Sequence, residues 1–210
     1  LFPVIMLLVI YWNQRERKVK TIDQRQFEAL ILCTMTLMIV DIFSNGLNGA
    51  TWQGGRVILW ITYIAHVIML VVVANVWLMY VCNRLHARDY IRLYKGIVWI
   101  IGCICAAFVV LALTTPWTYI LFTITEEGVY QRSEGYFLSY VVNIGVLLAS
   151  VLVALYIYRH EVSKELRVES LYKIGCGLFP LVGFAIQNVF PGWWVGGPCV
   201  ALSILFIYIN

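Results

Sequence analysis

From Val57 to Cys82 the sequence contains no aspartate, glutamate, lysine or arginine. Few folds accept an uncharged run of that length. A helix rises about 1.5 Å per residue and the hydrocarbon layer of a bilayer is about 30 Å thick, so about 20 apolar residues cross it. Six further apolar runs read the same way: Leu1–Trp12, Phe27–Leu47, Gly96–Ile120, Phe137–Tyr158, Leu171–Phe190 and Trp193–Ile209. Their apolarity is continuous rather than alternating, which predicts helices and not barrel strands. Leu1–Trp12 is too short for a whole span and reads as part of a truncated first helix. Pro191-Gly192 separates the last two runs by a tight turn, since one long helix would hold that pair in mid-membrane.

Composition points the same way. The chain is 62% hydrophobic and 12% charged, whereas a soluble domain is about half apolar and roughly a quarter charged. No basic n-region with a cleavage site marks a signal peptide. The expected fold class is therefore all-α integral membrane: residues 1–210 form a single domain, a seven-transmembrane helix bundle.

Charge placement gives the direction of that bundle. Arg15, Arg17, Lys18, Lys20 and Arg25 lie in one connector, Arg84, Arg88, Arg92 and Lys95 in another, and Arg159, Lys164, Arg167 and Lys173 in a third. These are thirteen of the 15 basic residues, all in alternate connectors. The opposite connectors hold only Arg56 and Arg132. Positive charge stays on the cytoplasmic side, so the N-terminus is expected outside and the C-terminus in the cytoplasm. Trp52, Trp117, Tyr119, Trp193 and Trp194 then mark outer ends, and Tyr80, Tyr94, Tyr156 and Tyr158 inner ones, at headgroup level. The net charge of +4 follows from topology and calls for no nucleic acid.

One carboxylate interrupts the second run. Asp41 stands in M-T-L-M-I-V-D-I-F-S-N-G, roughly 10 Å below the end of its helix at 1.5 Å per residue. A charge there needs a partner, a proton or water. At 100° per residue Thr34, Ser44, Asn45 and Asn48 share its side. His66 lies at similar depth in the third run with Thr62 and Tyr63 on its face, and Asn143 in the fifth with Tyr136, Ser139 and Tyr140. Gln187 and Asn188 sit near the outer end of the sixth. Asp41 and His66 are the expected ion pair or hydrogen-bonded pair. Singly, each polar residue is accounted for as glue between helices. As a set confined to the outer half, Asp41, Asn45, His66, Asn143, Gln187 and Asn188 read as a cavity that binds a small extracellular ligand.

Two shorter features accompany this set. The segment Leu121–Tyr136 holds two strand-like runs, Tyr119–Thr125 and Gly128–Arg132, around Glu126-Glu127-Gly128, which predicts a small hairpin or lid. The sixth run carries Pro180 among glycines, a place for a kink and a candidate hinge. Enzyme chemistry is not visible. No H-E-x-x-H, G-x-S-x-G or P-loop pattern occurs, and His66, His86 and His160 lie on separate elements. The last run lacks a lysine for a retinal Schiff base. The six cysteines form no C-x-x-C pair and read as small buried hydrophobes rather than zinc ligands or disulfides. No catalytic residue, metal or cofactor is expected.

The segments Y-W-N-Q-R-E-R-K, D-I-F-S-N-G, T-E-E-G-V-Y-Q-R and A-L-S-I-L-F-I-Y-I-N occur in that order. In this order and topology the chain resembles the membrane region at the N-terminus of clostridial GGDEF proteins, membrane-bound diguanylate cyclases. The resemblance covers essentially the whole chain. It implies a sensory input domain in a bacterial plasma membrane, with a cytoplasmic output domain after residue 210 and a homodimer through that domain. Similar modules precede histidine kinases, a second possible output. A small transporter or channel is the rival class. Its expected marks are matching broken helices in two halves, and only one Pro/Gly-broken helix is present.

Overall fold

The computed structural model describes residues 1–16, 21–50, 52, 54–86, 91–190 and 195–209, with the side chains of 84–86, 91–94 and 188 excepted. The helices are α1 (Phe2–Arg15), α2 (Ile22–Gly46), α3 (Gly55–His86), α4 (Ile91–Thr118), α5 (Phe137–His160), α6 (Lys164–Val189) and α7 (Gly196–Ile209). Five of them, α2 to α6, contain segments long and apolar enough to cross a membrane. The other two, α1 and α7, have 14 residues each. The chain is a multi-pass membrane protein. The Pro191-Gly192 turn, Trp193 and Trp194 lie outside the described residues, as do Arg17, Lys18, Lys20 and Arg88 and the side chains of Arg84, Arg92 and Asn188.

Helix α3 is the axis of the bundle, packing against α2, α4 and α5, while α6 and α7 join α5 back to α1 and α2. Trp77, Tyr63, Leu59 and Leu78 are fully buried along it. Large apolar side chains elsewhere face outward, among them Ile61, Trp99, Val110, Leu152 and Phe206. A soluble domain hides such residues; here the outer surface suits acyl chains.

Helix α2 begins before its apolar run. Thr21 Oγ1 accepts from the Gln24 amide at 3.3 Å and Gln24 Oε1 accepts from the Thr21 amide at 3.1 Å, a capping box that starts the helix at Ile22. The T-x-x-Q signal is local. Hydropathy alone placed the start at Phe27. At the same end Asn83 of α3 hydrogen-bonds Asp23 of α2, and Asn13 of α1 bonds Tyr208 of α7.

The predicted hairpin is present. Strands β1 (Phe122–Ile124) and β2 (Tyr130–Arg132) pair antiparallel with Thr123 opposite Gln131. Backbone and side-chain bonds dock it on the α2–α3 connection. The Gly49 amide donates to Gly128 O at 2.8 Å, the Tyr130 amide to Asn48 Oδ1 at 2.9 Å, and Arg56 to Ile124 O at 3.2 Å. Gly128 has φ +74, and a Cβ there would lie 2.7 Å from Ala50 O. Both the left-handed backbone and the close approach exclude other residues.

Pro180 sits inside an uninterrupted α6. It lacks an N–H, so the carbonyl four residues earlier, that of Cys176, loses its helical donor. Ser203 of α7 supplies one: its hydroxyl lies 2.7 Å from Cys176 O and 3.0 Å from Cys199 O. Close approach makes this reach possible, because a Cβ on Gly183 would meet Cys199 Sγ at 2.8 Å. Small residues let helices approach in this way in membranes.

Two outcomes follow. Ser203→Ala is expected to cost about 1 kcal/mol of stability, and less in a Pro180→Ala background where the helical donor is restored; a double-mutant cycle in bicelles measures the difference. Gly128→Ala is expected to release the hairpin at a cost of about 1–3 kcal/mol, read as roughly tenfold or faster hydrogen exchange at the Tyr130 amide.

Candidate functional site

Asp41 lies a turn and a half before the end of α2, and the α2–α3 interface brings it to His66. His66 Nδ1 is 2.5 Å from Asp41 Oδ1, with side-chain exposures of 2% and 16%. The pairing expected from the sequence is therefore present. That distance places the imidazole and the carboxyl group within hydrogen-bonding reach of each other. In a low-dielectric surrounding the attraction is strong, and so is the penalty for leaving either partner alone.

A third helix meets this pair. Gly197, in the first turn of α7, is so placed that a Cβ on it would lie 3.9 Å from Asp41 Oδ2 and 3.3 Å from Met38 Cγ. The carboxylate thus stands beside a helix N-terminus, where the backbone dipole favours negative charge. Gln187 fixes that terminus: its Oε1 accepts from the Gly196 amide at 3.1 Å. Gln187 is buried, and its carbonyl serves the α6–α7 junction.

The hairpin roofs the region with aromatic rings. Tyr130 stacks on Tyr63, one turn before His66 on α3, with centroids 3.9 Å apart and planes within 10°. Phe122 packs against Trp60 at 5.0 Å. Arg132 lies 4.8 Å above the Tyr136 ring and 5.8 Å from that of Tyr140. Burial pushes the Tyr130 phenol well above its ordinary 10.0, so at neutral pH it remains a donor, hydrogen-bonded to Tyr136.

Tyr140 and Asn143 share a face of α5, and Tyr136, immediately before that helix, continues it at the same spacing. Asn143 is buried, its Nδ2 donating to Ser139 O at 2.8 Å. Its Oδ1 and the Tyr140 hydroxyl are buried without a protein hydrogen-bond partner. Such groups raise the energy of the site until something polar meets them.

The remaining candidates divide. Asn45 is exposed and commits its Nδ2 to Asp41 O at 2.7 Å on its own helix. Thr34 and Ser44 are buried and bond backbone carbonyls of α2. Asn48 holds the hairpin, its Oδ1 accepting from the Tyr130 amide. Asn188 falls outside the described side chains. Sequence reasoning left out Tyr130, Arg132 and Gly197. The first two carried a signal in the alternation of β2, and Arg132 is one of only two basic residues away from the basic connectors. Gly197 had none, because its role depends on where α7 crosses α2.

Asp41→Ala is expected to lower stability by about 3 kcal/mol, as is His66→Ala. The double variant should lose clearly less than their sum, which denaturation of all four proteins in one lipid mixture would measure.

Comparison with protein-family models, curated proteins and solved structures finds no match to this chain.

Proposed function

We propose that this is the seven-pass sensory domain of a bacterial plasma-membrane signalling protein, with its N-terminus outside and its C-terminus in the cytoplasm. The basic connectors support that orientation through the positive-inside tendency. The Asp41–His66 pair supports the sensing role most directly. An ionisable pair inside a span is expensive and marks a functional position by default. An aromatic hairpin covers the neighbouring turn of α3 at Tyr63, and α5, which packs on α3, carries unsatisfied polar groups at Tyr140 and Asn143 that a polar extracellular ligand could meet.

The mechanism is a population shift. A ligand that engages Asp41 or His66 competes with their mutual bond and with the contact of Asp41 to the α7 N-terminus. Its unequal affinity for two positions of α7 would change their populations. Helix α7 leads to residue 210, after which the resemblance implies a diguanylate cyclase.

In cells carrying the complete gene, cyclic di-GMP is expected to respond to an extracellular polar solute. Asp41→Asn and Asn143→Ala should shift the half-maximal concentration by about tenfold or more, which is about 1.4 kcal/mol. A response that both variants leave unchanged would remove the cavity, and a complete gene without a signalling output would remove the sensor.

A further inference from the structure

Two cavities at the basic end of the bundle join into one surface. The first, about 360 Å3, is lined by Tyr80, Glu165, Glu169, Lys173 and Ile207 among others. The second, about 350 Å3, is lined by Leu171, Gly175, Cys176, Phe179 and Phe206. Val168 and Tyr172 line both. The first carries three charged side chains, and the second carries none. Leu171, Tyr172, Phe179 and Phe206 are each 42–54% exposed, so the apolar groove opens on the lipid side of α6 and α7.

We propose that this surface binds one zwitterionic aminophospholipid from the adjacent leaflet, with its headgroup among Glu165, Glu169 and Lys173 and an acyl chain along the α6–α7 groove. Length fits this occupant. From Leu171 to Phe179 the groove rises roughly 12 Å at 1.5 Å per residue, within the half-thickness of a 30 Å hydrocarbon core and so inside one leaflet. Charge fits as well. Lys173 is 5% exposed, lies 3.2 Å from Glu169 and stands 4.6 Å from the Tyr80 ring centroid. These contacts fix an ammonium at the base of the first cavity, next to the position of a headgroup phosphate. Glu165 is exposed at its rim, where a carboxylate accepts hydrogen bonds from a primary ammonium. Two carboxylates against one ammonium disfavour a headgroup with net negative charge, and a quaternary ammonium offers no N–H to them.

The site depends only on the end of the bundle that holds the basic residues. It stands apart from the ligand cavity proposed above, and neither needs the other.

The test uses the intact protein in nanodiscs of equal parts phosphatidylethanolamine, phosphatidylglycerol and phosphatidylcholine, with retained lipid identified by native mass spectrometry. One retained phosphatidylethanolamine per chain is expected. Gly175→Leu fills the groove without a clash, because nothing lies within 4 Å of a Cβ there. Displacing about two methylenes of the lipid should lower its retention about tenfold. Glu165→Gln, at an exposed position, should remove the preference for phosphatidylethanolamine while leaving total retained lipid similar. Equal retention of the three lipids by the wild type would overturn the proposal, as would unchanged retention in Gly175→Leu.

Discussion

A carboxylate within an apolar bundle needs a permanent partner, and the contact of Asp41 with His66 organises the hairpin end of this protein. It fixes the register of α2 against α3, since a shift by one residue would turn the two groups about 100° apart. It also explains the approach of α7. The N-terminal turn of a helix carries partial positive charge, and Gly197 allows that turn to lie against the second oxygen of Asp41. Three helices therefore converge on one carboxyl group, and the hairpin closes over them with stacked tyrosines.

The same requirement acts on every polar group in hydrocarbon, where no water can satisfy it. Hydroxyls of Thr34, Thr36, Thr114 and Ser150 turn back onto carbonyls of their own helices. Pro180 creates a carbonyl that its own helix cannot satisfy, and Ser203 reaches across to it. The consequence is mechanical. Helix α7 is tied to α6 through Ser203 and Gln187 and lies against α2 at Gly197, so in the proposed mechanism a change at Asp41 reaches α7 directly.

The two ends of the bundle solve opposite problems. At the hairpin end, charge is enclosed between helices and covered by aromatic rings. At the basic end, Lys173 is held between a carboxylate and the Tyr80 ring at the base of a cavity, Glu165 is exposed at its rim, and apolar surface continues outward along α6 and α7. The proposed headgroup site and the proposed ligand cavity share no residues.

Much of the fold was legible in the sequence because hydrocarbon imposes a one-dimensional rule: uncharged runs of sufficient length must be helices. That rule located α2 to α6, and the isolation of Asp41 and His66 in such runs made their pairing a reasonable expectation. Glycine and alternating residues around Glu126-Glu127 announced the hairpin. The capping box of α2 was also local, although hydropathy passed over it. What the sequence could not hold was the relation between distant elements. Asn45 and Asn48 share the Asp41 stripe, yet one faces outward and the other anchors the hairpin, because helical phase gives a direction but not the neighbour found there. Gln187 capping α7, Gly197 beside the carboxylate, and Ser203 under Pro180 arise from the crossings of α2, α6 and α7. Sequence determined which residues had to be satisfied, through the energetic demand of each group in isolation; tertiary structure alone decided which partner met that demand, because partners are set by packing between segments far apart in the chain.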